Sequence, residues 1–331
     1  MELLPLGKTT LPVTKIGLGL AALGRPGYIN LGHQEDLPHG HSVVAMERHS
    51  HAVLDAAYAA GIRYFDTARS YGRAESFIST WLSKKGLRPG KISLGSKWGY
   101  TYTADWKVET SVHEVKDHSL PQLIRQWTES RTLLGQHVGL YQIHSATLET
   151  GVLEDTEILN YLAHLKREGV IIGLSLSGPR QKDTLRKALE IRIDGEFLFQ
   201  AVQASWNLME PSVGPALAEA KSEGWGVIVK EALANGRLTD RNQEADFLTQ
   251  KALLQEISQE WEVGIDALAL AAVLAQPWCD VVLSGVASLT HLQSNIAALK
   301  VTWKEKYEEM LASLVQSPED YWTFRKQMAW N

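Results

Sequence analysis

From about residue 15 onward, short apolar runs alternate with longer stretches in which apolar residues recur on a helical period. The runs fall at residues 15–21, 64–68, 92–98, 138–145, 172–178, 201–207, 226–232 and 280–287. They are nearly continuous rather than alternating, as strands buried on both faces of a parallel sheet must be. Helical patterning fills the gaps, at 47–60, 73–85, 119–135, 155–168, 180–190, 212–224, 249–274 and 289–299. In the fourth of these, Ile158, Tyr161, Leu162 and Leu165 make one stripe, and Gly169 stands just past its end. Strand–helix pairs in strict order predict a (β/α)8 TIM barrel rather than an open doubly wound sheet. Ahead of them, residues 3–6 and 13–16 flank Gly7-Lys8-Thr9-Thr10, the pattern of an N-terminal β-hairpin that could plug the barrel's N-terminal mouth. Behind them, residues 302–331 read as a C-terminal helical tail rich in aromatics. No Pro/Gly/Ser-rich linker divides the chain, so 1–331 is expected to be a single barrel domain.

Composition narrows the class. Hydrophobic residues at 44% and charged residues at 21% are ordinary for a soluble globular protein. A net charge of −5 argues against a general nucleic-acid binder, and no apolar run reaches the roughly 18–20 residues of a membrane span. Cys279 is the single cysteine, and the N-terminus lacks the basic start and apolar block of a secretory signal. Both fit a reducing, cytoplasmic location and a small-molecule partner.

Barrel chemistry belongs at the C-terminal ends of the strands. The second run ends in Phe65-Asp66-Thr67-Ala68, with Tyr71-Gly72 close behind; the third ends in Ser96-Lys97-Trp98 and the fourth in Gln142-Ile143-His144-Ser145. Singly, an Asp, Tyr or His in such a place is usually a cap, a packed turn or a satisfied polar group. A Lys inside an apolar strand is different, because a buried ammonium needs a carboxylate. Asp66 on the neighbouring strand supplies one. An ammonium beside a phenol favours phenolate, so Lys97 and Asp66 would tune Tyr71 as an acid or base while His144 orients a carbonyl oxygen.

These motifs, with Leu6-Gly7-Lys8 and Ile16-Gly17-Leu18-Gly19 at the start, resemble those of the aldo-keto reductase superfamily along essentially the whole chain. The resemblance implies Tyr71 as general acid/base, Asp66 and Lys97 as its tuners, and His144 as the carbonyl-positioning residue. It also implies a nicotinamide dinucleotide extended across the barrel mouth, NADP(H) favoured and NAD(H) open. Ser175, Gln203, Lys230, Ser284, Gly285, Ser288 and Asn295 fall at the positions that would hold it. Leu176 stands where the family usually has Asn, Lys230 where an aromatic residue stacks, and Ala287 or His291 where an Arg often meets a 2′-phosphate. The implied reaction is reduction of an aldehyde or ketone, or the reverse alcohol oxidation. An NAD-linked dehydrogenase of a sugar or other cyclic alcohol is the alternative, and a cofactor-binding regulatory subunit with negligible turnover is the alternative of another class.

Two further patterns point elsewhere. Gly17-Leu18-Gly19-Leu20-Ala21-Ala22 fits a dinucleotide fingerprint, but Gly24-Arg25-Pro26-Gly27 follows where a helix would have to start. His33, His39, His41, His49 and His51 cluster without cysteine in a Gly/Pro-rich region, so no metal site is expected. The long loops at 24–46 and 99–118, with the tail, suggest an enclosed pocket, and Trp98, Trp106 and Trp322 are the expected substrate contacts.

Overall fold

The computed structural model describes residues 1–37 and 40–331; of the clustered histidines, His39 lies outside the described residues. All eight apolar runs become parallel strands of one closed barrel. They are β1 (Ile16–Gly19), β2 (Tyr64–Asp66), β3 (Ser93–Trp98), β4 (Val138–Ala146), β5 (Ile171–Leu176), β6 (Ala201–Ser205), β7 (Gly226–Lys230) and β8 (Val281–Ser284). Closure comes from β8 beside β1, with Val282 opposite Ile16 and Ser284 opposite Leu18. The strands are buried almost throughout, which explains their continuous apolar character.

The main helices are α1 (Val43–Ala59), α2 (Ala74–Lys85), α3 (Leu120–Leu134), α4 (Thr156–Arg167), α5 (Gln181–Leu189) and α6 (Gly214–Ser222). After them come α7 (Leu248–Gln259), α8 (Ile265–Leu274), α9 (Leu289–Ile296), α10 (Glu305–Met310) and α11 (Pro318–Gln327). The stripe of α4 faces the core, its Asp155 cap accepts from the N–H groups of Glu157 and Ile158, and Gly169 adopts φ +92° beyond its end.

One expectation is corrected. The pattern at 249–274 is two helices, because Glu262 turns left-handed at φ 52° and Gly264 starts α8 afresh. The chain's apolar period runs on through the break, so periodicity alone joins the two.

The N-terminal hairpin forms with Leu4 opposite Val13 and Pro5 opposite Pro12. Its Leu6 is fully buried and packs with Tyr64, Leu140, Ile171, Ala201 and Ile228, closing the N-terminal mouth with apolar side chains. The loop at 99–118 contains a second hairpin, Tyr100–Tyr102 against Glu114–Lys116. Gly17–Ala22 leads to no adjoining helix, since α1 begins at Val43. Among the described residues, no helix is long and apolar enough to cross a membrane.

Candidate active site

Three strand ends and one turn bring Asp66, Lys97, His144 and Tyr71 together at the C-terminal mouth. Lys97 is fully buried on β3. Its Nζ donates to Asp66 Oδ1, to the Thr67 carbonyl at 3.0 Å and to the Tyr71 hydroxyl at 3.3 Å. Asp66 Oδ2 accepts from Gln203 Nε2 at 2.8 Å, and from Gln142 Nε2 and the Tyr64 hydroxyl at 3.3 Å each. Both members of this buried pair are therefore hydrogen-bonded as well as charge-matched, the condition under which the desolvation cost is met. The His144 ring stands edge-on to Tyr71, centroids 5.4 Å apart. Its Nδ1 lies 3.3 Å from the Ser70 hydroxyl.

The electrostatics partly reverse the simple expectation for the phenol. Burial, then the Asp66 carboxylate, push Tyr71 well above its ordinary value, while Arg25 pulls the other way. The resting phenol is thus protonated. Burial also lowers Lys97, opposed by Asp66. Burial, then the cations Lys97, Lys230 and Arg25, hold His144 well below its ordinary value, so its imidazole is neutral.

A cavity of about 570 Å³ opens over this group and runs to the start of α9, a size ordinary for a small-molecule or cofactor site. Asp66, Tyr71 and His144 line it, while Lys97 lies beneath them. Of the expected cofactor contacts, Gln203, Lys230, Gly285 and Asn295 line it. Gln203 Oε1 receives no hydrogen bond from the described residues and stays available to a ligand amide. A Cβ on Gly285 would meet nothing within 4 Å, so the wall there is open backbone. With its amide turned to satisfy both ends, Asn295 donates to Asp266 Oδ2 at 2.8 Å and accepts from Ser284 Oγ at 2.9 Å.

The other sites fall outside the lining. Ser175 spends its hydroxyl on the Ser145 N–H at 2.8 Å, and Ser177 faces the cavity instead. Ser284 is buried under Asn295, and Ser288 caps α9 by accepting from the His291 N–H at 3.2 Å. The three tryptophans expected to meet substrate do not line the cavity either. Trp98 is fully buried against His118, and Trp106 donates to the His41 carbonyl at 2.6 Å. Trp322 packs on Tyr321 below the Lys230 ammonium. Trp98 and Trp106 belong to the packing of the main core, and Trp322 to that of the cluster formed with the C-terminal helices. Among the described residues, no group of three or more His, Cys, Asp or Glu gathers as metal ligands.

Sequence reasoning missed Arg25, Tyr28, Glu114, Glu231 and Arg325, which line the cavity together with Trp330 of the aromatic tail. Glu231 directly follows β7, where the strand-end rule could have found it. Arg25 and Glu114 meet across long loops, with Nη1 to Oε2 at 2.9 Å. Trp330 stacks on His113 at 4.0 Å from the opposite end of the chain.

Residues 15–315 match the Aldo/keto reductase family model, and the chain belongs to that family of oxidoreductases acting on small carbonyl compounds. It is similar to aldo-keto reductase str7 of Strobilurus tenacellus, with 25% identity over 334 residues covering 93% of each protein. It is also similar to pyridoxal 4-dehydrogenase of Microbacterium luteolum, with 24% identity over 353 residues covering 96% of this chain and 94% of the other. The holo form of an aldo-keto reductase from Bacillus halodurans shares the fold, with a TM-score of 0.72 at 22% identity over 96% of this chain and 97% of that one.

Proposed function

We propose that the protein is an NAD(P)(H)-dependent oxidoreductase that reduces an aldehyde or ketone to an alcohol, or runs the reverse, with Tyr71 as general acid/base. The observation that carries this reading is the Lys97 Nζ to Tyr71 hydroxyl hydrogen bond of 3.3 Å, beside a neutral His144 in an elongated cavity. Gln203, Gly285 and Asn295 would hold the dinucleotide along that cavity, with the first turn of α9 toward its phosphates. When bound, the cofactor supplies or accepts the hydride.

This chain's own residues handle the oxygen and the proton. If Ser70 donates to Nδ1, the His144 Nε2–H is left to hold the carbonyl oxygen. The protonated Tyr71 gives its proton to that oxygen as negative charge develops, and Lys97 stabilises the phenolate left behind. Asp66 keeps the Lys97 ammonium in place and charged. Reduction uses the resting state directly, whereas oxidation must first ionise a phenol that burial opposes.

A second reading concerns the cofactor. Asp36, Asp240 and Asp266 line the far end of the cavity, and Arg241 is spent on Asp36 at 2.6 and 3.0 Å. Excess carboxylate there repels an added phosphate, which favours NAD(H) over NADP(H). Titrating Tyr71→Phe and the parent protein with NADH and NADPH, by tryptophan quenching, tests both readings. Tyr71→Phe should bind cofactor like the parent yet lose reduction by about 10²–10⁴-fold. Unchanged turnover would remove Tyr71 as the acid. Cofactor binding by the parent without turnover on any carbonyl would favour the regulatory subunit.

A further inference from the structure

The charges around the reacting atoms do not cancel. Glu231 Oε1 takes both Nε, at 2.8 Å, and Nη2 of Arg325, and its Oε2 accepts from the Ser205 hydroxyl at 2.6 Å. Lys230 Nζ is 3.9 Å from that same Oε2, beyond hydrogen-bond length, and donates to the neutral Ser205 Oγ at 2.7 Å. One carboxylate thus serves two cations. Asp66 is fully committed to Lys97, so a net positive charge stays at Lys230, facing the cavity.

Arg25 adds a second unfinished donor set. Gly24 and Gly72 let the first loop lie directly on the Tyr71 turn: a Cβ on Gly24 would come within 2.2 Å of the Tyr71 carbonyl. The contact holds Arg25, only 3% exposed, among the rings of Tyr28, Tyr71 and Trp330 at 5.1, 5.3 and 4.7 Å. Nη1 reaches Ser70 O at 3.2 Å and Glu114 at 2.9 Å, but Nε is buried with no partner, and Nη2 donates to none of the described residues. A guanidinium kept only for packing would have its donors satisfied, since each one left unmade costs free energy.

Building on the oxidoreductase reading, we propose that the substrate is a carbonyl compound bearing an anionic group, a carboxylate or phosphate, and that Lys230 and Arg25 recognise that group. Such an anion would neutralise the charge left over at Lys230 and accept from the free Nη2 of Arg25. Neutral aldehydes of the same shape would leave Lys230 sharing the Glu231 carboxylate with Arg325 and the Nη2 of Arg25 without an acceptor.

Matched pairs test this. For the parent protein, kcat/KM for para-carboxybenzaldehyde should exceed that for its methyl ester by at least about tenfold, the worth of one charge-assisted contact. Glyceraldehyde phosphate against glyceraldehyde poses the same question for a phosphate and tells the two anions apart. Lys230→Met and Arg25→Met should each shrink the ratio, and Lys230→Arg should restore part of it. The binding of para-(hydroxymethyl)benzoate and its methyl ester, with and without NAD(H), gives a readout independent of turnover. A Lys230-dependent preference for the acid with no turnover would support the anion site while removing the redox reading. Equal kcat/KM and equal binding for acid and ester would overturn the anion site. So would weaker cofactor binding in Lys230→Met with an unchanged acid-to-ester ratio, because Lys230 would then serve the cofactor.

Discussion

The two mouths of the barrel are closed by opposite means. At the N-terminal mouth, Leu6 and its apolar neighbours exclude water. At the C-terminal mouth, the ion pairs Lys97–Asp66, Arg325–Glu231 and Arg25–Glu114 crowd around a cavity. Burying apolar area stabilises almost unconditionally, whereas a buried ion pair is at best a near balance of desolvation and attraction. Stability thus comes mainly from the floor and walls, and the mouth holds charge where chemistry can use it.

The contrast is broken most forcefully at Lys97. Lys97→Met leaves Asp66 buried and unpaired, and should cost about 3–5 kcal/mol of stability together with most of the turnover. The double variant Lys97→Met with Asp66→Asn should regain much of the stability and none of the activity; denaturant unfolding and steady-state assays read the two apart. At the floor, Leu6→Ala should cost about 2–5 kcal/mol, with turnover per folded molecule unchanged. Loss of catalysis at equal folded fraction would show that the two mouths are coupled.

A smaller, pH-dependent effect sharpens the same point. Arg325 and Lys230, working against burial, hold the Glu231 carboxyl near 2 rather than its ordinary 4.5. A depressed carboxylate stabilises the fold above its unfolded value, and that share is lost as pH falls through the folded one. The Tm gap between the parent and Glu231→Gln should therefore be widest near neutrality and narrow as pH drops from 4.5 toward 2. A gap that did not change over this window would mean that Glu231 gains nothing from its cations.

The strands and the buried pair Lys97–Asp66 were legible in the sequence for the same reason. A doubly buried strand must be continuously apolar, so a Lys or Asp interrupting one near its end stands out, as Lys97 and Asp66 do. Arg25 and Glu114 carry no such signal. They lie in loops that have no apolar period to interrupt, and only the folded chain brings Arg25 to Glu114, a sequence separation of 89. The hairpin at Tyr100–Tyr102 escaped because its strands are too short to show a period. Of the tryptophans, Trp330 lines the cavity while Trp98, Trp106 and Trp322 do not, since a large ring serves packing as readily as a pocket.

Barrel closure also bears on how the molecule is made. Ile16, on the first strand of the barrel, has its ladder partner at Val282 on the last. Until β8 leaves the ribosome, β1 and β7 each present an unpaired backbone edge lined with apolar side chains, the geometry that recruits foreign strands. Contacts so distant in sequence form slowly. A nascent or truncated chain lacking β8 is therefore a candidate for chaperone capture, however stable the finished barrel is.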